Sequence, residues 1–349
     1  AQSGEKPTAL QLSPTPIAPA KPPKRLSLES AWDIPELKRA TCLTIAPWEG
    51  QTALIVLEAP RTLHIYSLDG KLLQKKKLPT PPNADVRILR ASADAPQGNQ
   101  QFVAFTPGGE AAYFFDRRFS LLGQFPPVGQ PHEGVADAVL ADLDGKNAVE
   151  GYVGFSALLG VQACELSGKR TWRNLAIPSV ISLAAGPKNV AGWRKLYATD
   201  DRGRIFLLNQ FGNHELVELQ DREIHRLFSR SDSAAEEAAT GDAIYCGISF
   251  LEKDELLAIG YDAEFDETWT YRLPSGVFVG PVQYAASVPA AGASDVLWII
   301  AAPDGSIHFI GSQGQFEDST CTGQRVTSLA AAVHEGKSLL IYGDEQGVH

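Results

Sequence analysis

The 349-residue sequence contains no methionine and only four cysteines. It has no uninterrupted apolar run of about 18 residues, the length a helix needs to cross a bilayer, so no segment reads as a membrane span. The cysteines, Cys42, Cys164, Cys246 and Cys321, are far apart. None forms a Cys-x-x-Cys pair, which argues against a zinc site or a thioredoxin-type redox motif. They read as buried single thiols within strands, with disulfide pairing the alternative. Gly-x-Ser-x-Gly, Walker and His-Glu-x-x-His patterns are all missing, so the commonest hydrolase, nucleotide-binding and zinc-peptidase chemistries have no foothold. Positive charge is also in short supply. The formal net charge is −10, and a nucleic acid's phosphates would be repelled by such a surface.

Turn residues are abundant, with 31 Gly and 23 Pro. They separate short apolar runs, a pattern that favours an all-β chain over a helical one. One stretch defines the repeat. Asp142-Leu-Asp-Gly-Lys-Asn-Ala-Val-Glu-Gly-Tyr-Val-Gly reads as loop then strand. Val161–Leu166 is a further strand, Gly168 lies in the next turn, and Trp172 ends the unit. Looser copies lie at Leu63–Leu73, Ile205–Leu216 and Ile307–Phe316, and the glycines Gly70, Gly168, Gly212, Gly276 and Gly314 share one place in this scheme. The units are about 40 to 60 residues apart, the period of four-stranded propeller blades.

Six full units and a split seventh predict a seven-bladed β-propeller of four-stranded blades spanning residues 26–349. The ring would be closed by an N-terminal strand at Leu26–Ile34, whose Trp32 is the counterpart of Trp172. Closure removes the exposed sheet edges that invite aggregation. Before it, residues 1–25 contain six prolines and no apolar period, and read as an extended tether. A polar, acidic insertion falls at 231–241. The Ala-Gln start matches what signal peptidase leaves behind, so the expected location is periplasmic or extracellular, after removal of a signal peptide.

The loop-and-strand at Asp142–Gly154 resembles FG-GAP/VCBS-type propeller repeats. Gly168-Lys-Arg-Thr-Trp172 is similar to the blade ends of those proteins and of quinoprotein-like propellers. The specific match covers one blade and the looser one most of residues 40–349. The resemblance implies an exported bacterial propeller used mainly as a binding scaffold. It also raises two cofactor questions. Asp142 and Asp144 occupy the first and third places of a calcium-type loop and Glu150 the ninth, but Lys146 stands at the fifth, where an acid belongs. A degenerate turn without metal is the expectation, with weak Ca2+ binding the alternative. Quinone dehydrogenases of this class are larger and carry adjacent cysteines, which this sequence lacks.

Catalytic groupings are thin. His64 and His308 fall in third strands of different blades beside apolar residues, where a hydrogen-bonded structural histidine is the ordinary role. Asp262, Glu264, Asp266 and Glu267 form an acidic patch between strands, which reads as a solvated loop. Trp48 and Trp193 lie in loops expected to share one rim of the ring, and are the candidate partner-binding residues. The functional expectation is a non-enzymatic propeller serving as a protein-binding or assembly subunit of a cell-envelope complex. A divalent-cation hydrolase or lactonase-like enzyme in the central channel is the alternative. It would require acids, histidines or asparagines gathered from several blades at one channel end.

Overall fold

The second and third strands of each repeat are apolar at most positions because both of their faces meet a neighbouring blade. In the computed structural model the second and third strands of blade 2, Phe102–Phe105 and Ala112–Phe115, are buried at every residue. The fourth strands face solvent along one side: Leu72–Lys77 has no fully buried residue. The structure describes residues 26–349 apart from 96–97, 131–133, 190, 218–222, 231–241, 251–255, 275, 277–284 and 290–295. The tether at 1–25 and the acidic insertion at 231–241 therefore lie outside the described residues.

The described strands form six four-stranded antiparallel meanders. Blade 1 is Ala40–Trp48, Gln51–Glu58, Thr62–Ser67 and Leu72–Lys77. Blade 2 is Ile88–Ala91, Phe102–Phe105, Ala112–Phe115 and Leu121–Phe125. Blade 3, the reference unit, is Val135–Ala141, Glu150–Phe155, Val161–Cys164 and Arg170–Asn174. Blade 4 is Val180–Ala185, Leu196–Asp200, Ile205–Leu208 and His214–Val217. Blade 5 is Arg226–Ser229, Tyr245–Phe250, Leu256–Tyr261 and Glu267–Leu273. Blade 6 is Ala285–Pro289, Val296–Ala301, Ser306–Gly311 and Phe316–Cys321.

The expected count of seven four-stranded blades is corrected to six. The sector between blades 6 and 1 holds a two-stranded sheet, Ser328–His334 paired with Lys337–Gly343. Residues 26–33 form no strand, so the expected closing strand shrinks to a single bridge from Ile34 to Val348. Gly343 pairs with the same Val348. The seam closes through side chains instead. Ile34, Leu37 and Val348 join Leu43, Leu54 and Ile341 in one apolar cluster. Trp32 donates its indole N–H to the Leu68 carbonyl at 2.8 Å.

The core lies between blades. Tyr152 and Leu196 share the seam of blades 3 and 4. Phe105 and Phe155 share that of blades 2 and 3, and Cys246 and Trp298 that of blades 5 and 6. Each such fully buried large side chain contributes about 1.5 to 3 kcal/mol, which no isolated sheet could collect. Cys42 and Cys164 are likewise buried, whereas Cys321 is exposed, and all four are free thiols. Burial pushes the thiol pKa of Cys42, Cys164 and Cys246 up.

Blade-to-blade docking explains the turn glycines. Trp32, Trp172 and Trp269 lie directly over Gly70, Gly212 and Gly314, leaving no room for a Cβ. Trp32 thus does the work of a fourth-strand tryptophan although its segment is not a strand. Gly276 does not share this place: it packs against Pro303. The equivalent turn position in blade 5 is Phe265, at φ 70°, and in blade 2 it is Phe119, at φ 61°. An L side chain in that region costs about 1 kcal/mol or more. Ring stacking offsets the strain. Phe265 packs on Tyr197, Tyr245 and Tyr261, and Phe119 on Trp48 and Phe102.

Candidate functional site

In a four-stranded meander, the connection from first to second strand and that from third to fourth emerge at the same end. Trp193 belongs to a first-to-second connection and Trp48 ends the first strand that leads into one, so both lie toward the expected rim. Their exposures differ. Trp48 is 5% exposed, capped by Phe119 at 5.6 Å and by the Lys76 ammonium at 5.3 Å. It is a packing residue, and the expectation of a contact role for it is corrected. Its position at the end of a strand facing an aromatic turn in the next blade was not visible locally.

Trp193 is 49% exposed. On the same end of the same blade, the third-to-fourth connection presents Phe211, 71% exposed. Both aromatics sit on tight turns closed by an asparagine side chain. The Asn189 Oδ1 accepts from the backbone N–H of Ala191 and of Trp193, each at 3.0 Å. The Asn209 Oδ1 accepts from Phe211 at 2.9 Å and Asn213 at 3.1 Å. Asparagine in such turns satisfies backbone donors two and four residues on and stiffens the loop. The backbone that carries the two exposed rings is therefore held in place.

Beneath Trp193 lies a buried ion cluster drawn from three blades. Arg194 grips Asp94 with both prongs, Nε to Oδ2 at 3.0 Å and Nη2 to Oδ1 at 3.1 Å. Each side chain is only 2% exposed. Lys188 adds an ammonium 2.7 Å from Asp94 Oδ1. The backbone N–H of Asp142, in blade 3, donates to Asp94 Oδ2 at 2.8 Å. Burial alone would raise the Asp94 pKa, but Arg194, Lys188 and the Asp142 amide outweigh it and hold the carboxyl below its ordinary value. Asp94 and Arg194 are 100 residues apart, and neither belongs to a motif, so this cluster has no signature in the sequence.

The calcium-type loop is part of this support. The Trp193 ring lies against Gly145, whose φ of 70° disfavours other residues and where a Cβ would meet the ring Cδ1 at 3.0 Å. Asp142 is buried, and its Oδ2 accepts the Asn147 amide at 2.6 Å. Asp144 pairs with the Lys146 ammonium at 2.6 Å, which lowers its pKa. Glu150 accepts the Tyr152 hydroxyl at 3.1 Å. Asp144 and one oxygen of Asp142 thus take their partners from within the loop, while Asp142 Oδ1 is buried without a hydrogen-bond partner. Among the described residues no group of three or more His, Cys, Asp or Glu is placed to hold a metal ion. Added calcium or a chelator is expected to shift the melting temperature by less than about 1 °C, since a ligand stabilises only by binding the folded state. A calcium-dependent rise of several degrees in a scanning fluorimetry series would show instead that the loop binds the ion.

The histidines behave as expected. His64 Nε2 lies 3.0 Å from Glu58. His308 sits between the Tyr271 hydroxyl at 2.9 Å and the Ser306 hydroxyl at 2.8 Å, and burial lowers its pKa. Asp262 accepts backbone N–H groups of Glu264 and Asp266, so the acidic patch is built around a turn. No helix of the described residues is long and apolar enough to cross a membrane.

The inner strands of all seven sectors enclose a central channel of about 680 Å³. Its wall is chiefly alanine, serine and aliphatic side chains. Asp137 is its one carboxylate among the described residues. That group is saturated, by Arg90 at 2.8 Å and by the backbone N–H of Ala138 and Leu183.

Comparison with solved structures places the architecture. The chain is similar to two crystal structures of BBS1N in complex with ARL6DN, one soaked with mercury and one with lead. Each superposes with a TM-score of 0.60 at 12% sequence identity and covers 91% of this chain. They are covered over 93% and 94% of their own length respectively. At that identity the likeness shows the β-propeller fold alone. No family model and no curated relative matches the sequence.

Proposed function

We propose that this chain is a non-enzymatic propeller that binds a protein partner through the blade 4 rim, as an exported subunit of a cell-envelope assembly. The observation that carries the reading is the pair Trp193 and Phe211. Two large aromatics are left in solvent on stiffened turns at one end of one blade. Aromatic anchors that are already ordered lose little entropy on association, and such residues dominate interface energetics. The three-blade ion cluster under Trp193 gives them a rigid base. BBS1N, the structural neighbour, is itself found in complex with another protein, which supports a binding role for a propeller of this shape. The channel wall, with its single saturated carboxylate, offers little to the hydrolase reading. The FG-GAP/VCBS resemblance supports the envelope setting.

The test is mild cross-linking and affinity purification from the native source, with wild type beside the double variant Trp193→Ser/Phe211→Ser. A stoichiometric envelope protein should be recovered with wild type. Its affinity for the variant should fall at least about 30-fold, the loss of roughly 2 kcal/mol at an aromatic anchor. Recovery of the chain alone, or equal recovery with the variant, would overturn the proposal.

A further inference from the structure

The channel is cationic in a chain whose net charge is −10. Arg90, Arg194, Arg226 and Arg230 contribute to its wall, against Asp137. Arg194 is committed to Asp94, and Arg230 is buried with Asp242 at 3.8 Å. Arg90 and Arg226 are different. Both are half-buried and reach the channel from inner strands. Each uses only Nη1 on the protein among the described residues. Arg90 Nη1 contacts Asp137 at 2.8 Å and the Ala138 carbonyl at 3.1 Å. Arg226 Nη1 donates to the Ile181 carbonyl at 2.6 Å. The Nε and Nη2 donors of both remain for a ligand.

Arg90, from blade 2, reaches to the inner strand of blade 3, and Arg226, from blade 5, to that of blade 4, so the two guanidinium groups lie against neighbouring blades of the channel wall. The one carboxylate of the wall carries a single charge and is paired with Arg90, so it offsets that guanidinium and leaves Arg226 without a carboxylate partner among the described residues. Low-dielectric walls concentrate the resulting field in the channel. A guanidinium fork matches a carboxylate or phosphate, and its bonds to an anion are about twice as strong as neutral ones. The channel volume of about 680 Å³ lies within the range of small-molecule sites. The inner strands are also sheet edges, whose backbone N–H groups add donors along the wall.

We propose that the central channel binds a small organic polyanion, bearing two or more carboxylate or phosphate groups, between Arg90 and Arg226. The site is separate from the protein-contact rim and stands independently of it. The probes are citrate, inorganic phosphate and, as a single-charge control, acetate. Binding is measured by isothermal titration calorimetry at about 10 mM salt, where the screening length is about 30 Å. Citrate or phosphate should bind the wild type, acetate at least about tenfold more weakly. Arg226→Gln, which removes the charge and the fork, should weaken citrate binding about tenfold or more. Arg226→Lys, which keeps the charge but not the fork, should fall between. Arg173→Gln, on the exposed fourth strand of blade 3, should leave binding unchanged. Absence of heat with wild type for both polyanions would overturn the proposal. So would equal affinity in wild type and Arg226→Gln, or acetate binding as tightly as citrate. If Arg226→Gln does not fold, the Arg226→Lys titration decides: unchanged citrate affinity would count against the site.

Discussion

Replacing Arg194 with methionine is expected to lower the stability of the propeller by about 3 to 5 kcal/mol, the cost of breaking a buried ion pair from one side. The reason is what remains. Asp94 is 2% exposed at its side chain and would keep a negative charge with only Lys188 and the Asp142 amide to hold it. Arg194 also donates to the carbonyls of Gly186 and Ala93, so three blades lose a common tie. The double variant Asp94→Leu/Arg194→Met should recover part of the loss, since removing both charges removes the desolvation penalty along with the attraction. The effect has a pH signature. The folded-state pKa of Asp94 is lowered, so its contribution is present above the unfolded value near 3.9 and is lost as pH falls through the lower folded value. The gap between wild type and Arg194→Met should be widest at neutral pH and narrow below about pH 4. Urea melts at both pH values are the measurement. Superimposable curves at neutral pH would show that the cluster does not tie the blades.

Trp269→Ala is expected to cost about 3 to 5 kcal/mol, as for other buried large-to-small aromatic changes. Trp269 is 7% exposed and fills the seam between blades 5 and 6. Its indole N–H donates to the Ser312 carbonyl at 3.2 Å, and its ring covers Gly314 so closely that a Cβ there would meet the ring Cγ at 2.5 Å. Alanine would leave a cavity and an uncovered turn, while the Ser312 carbonyl would keep only its bond from the Ala243 amide. Trp193→Ala is the internal control. The same substitution at a residue 49% exposed should change stability by no more than about 0.5 kcal/mol. Equal costs at the two positions, read from chemical denaturation, would mean that blade docking does not depend on the tryptophan seam.

These two predictions draw on different kinds of information. The tryptophan seam was partly legible, because Trp172 and Trp32 recur beside glycine-bearing repeats and a glycine under a ring tolerates no replacement. Blade 5 and blade 2 hid the same joint by using Phe265 and Phe119 at the turn, so Gly276 was drawn into the pattern in error. The ion cluster had no legible trace. Its members come from loops of different blades, and nothing in a local window links Asp94 to Arg194.

The sequence by itself determined the all-β class, the four-stranded unit and most strand positions, because alternation of apolar runs with turn residues is set by backbone geometry over a few residues. It also determined that the Asp142–Glu150 loop carries a lysine where a calcium ligand belongs. Only the tertiary structure decided how the ring closes, since a single bridge at Ile34 and a two-stranded sheet satisfy the seam through packing that no strand pattern encodes. It alone separated Trp48 from Trp193. Exposure depends on which side chain the next blade brings, and for Trp48 that is Phe119, 71 positions further along the chain.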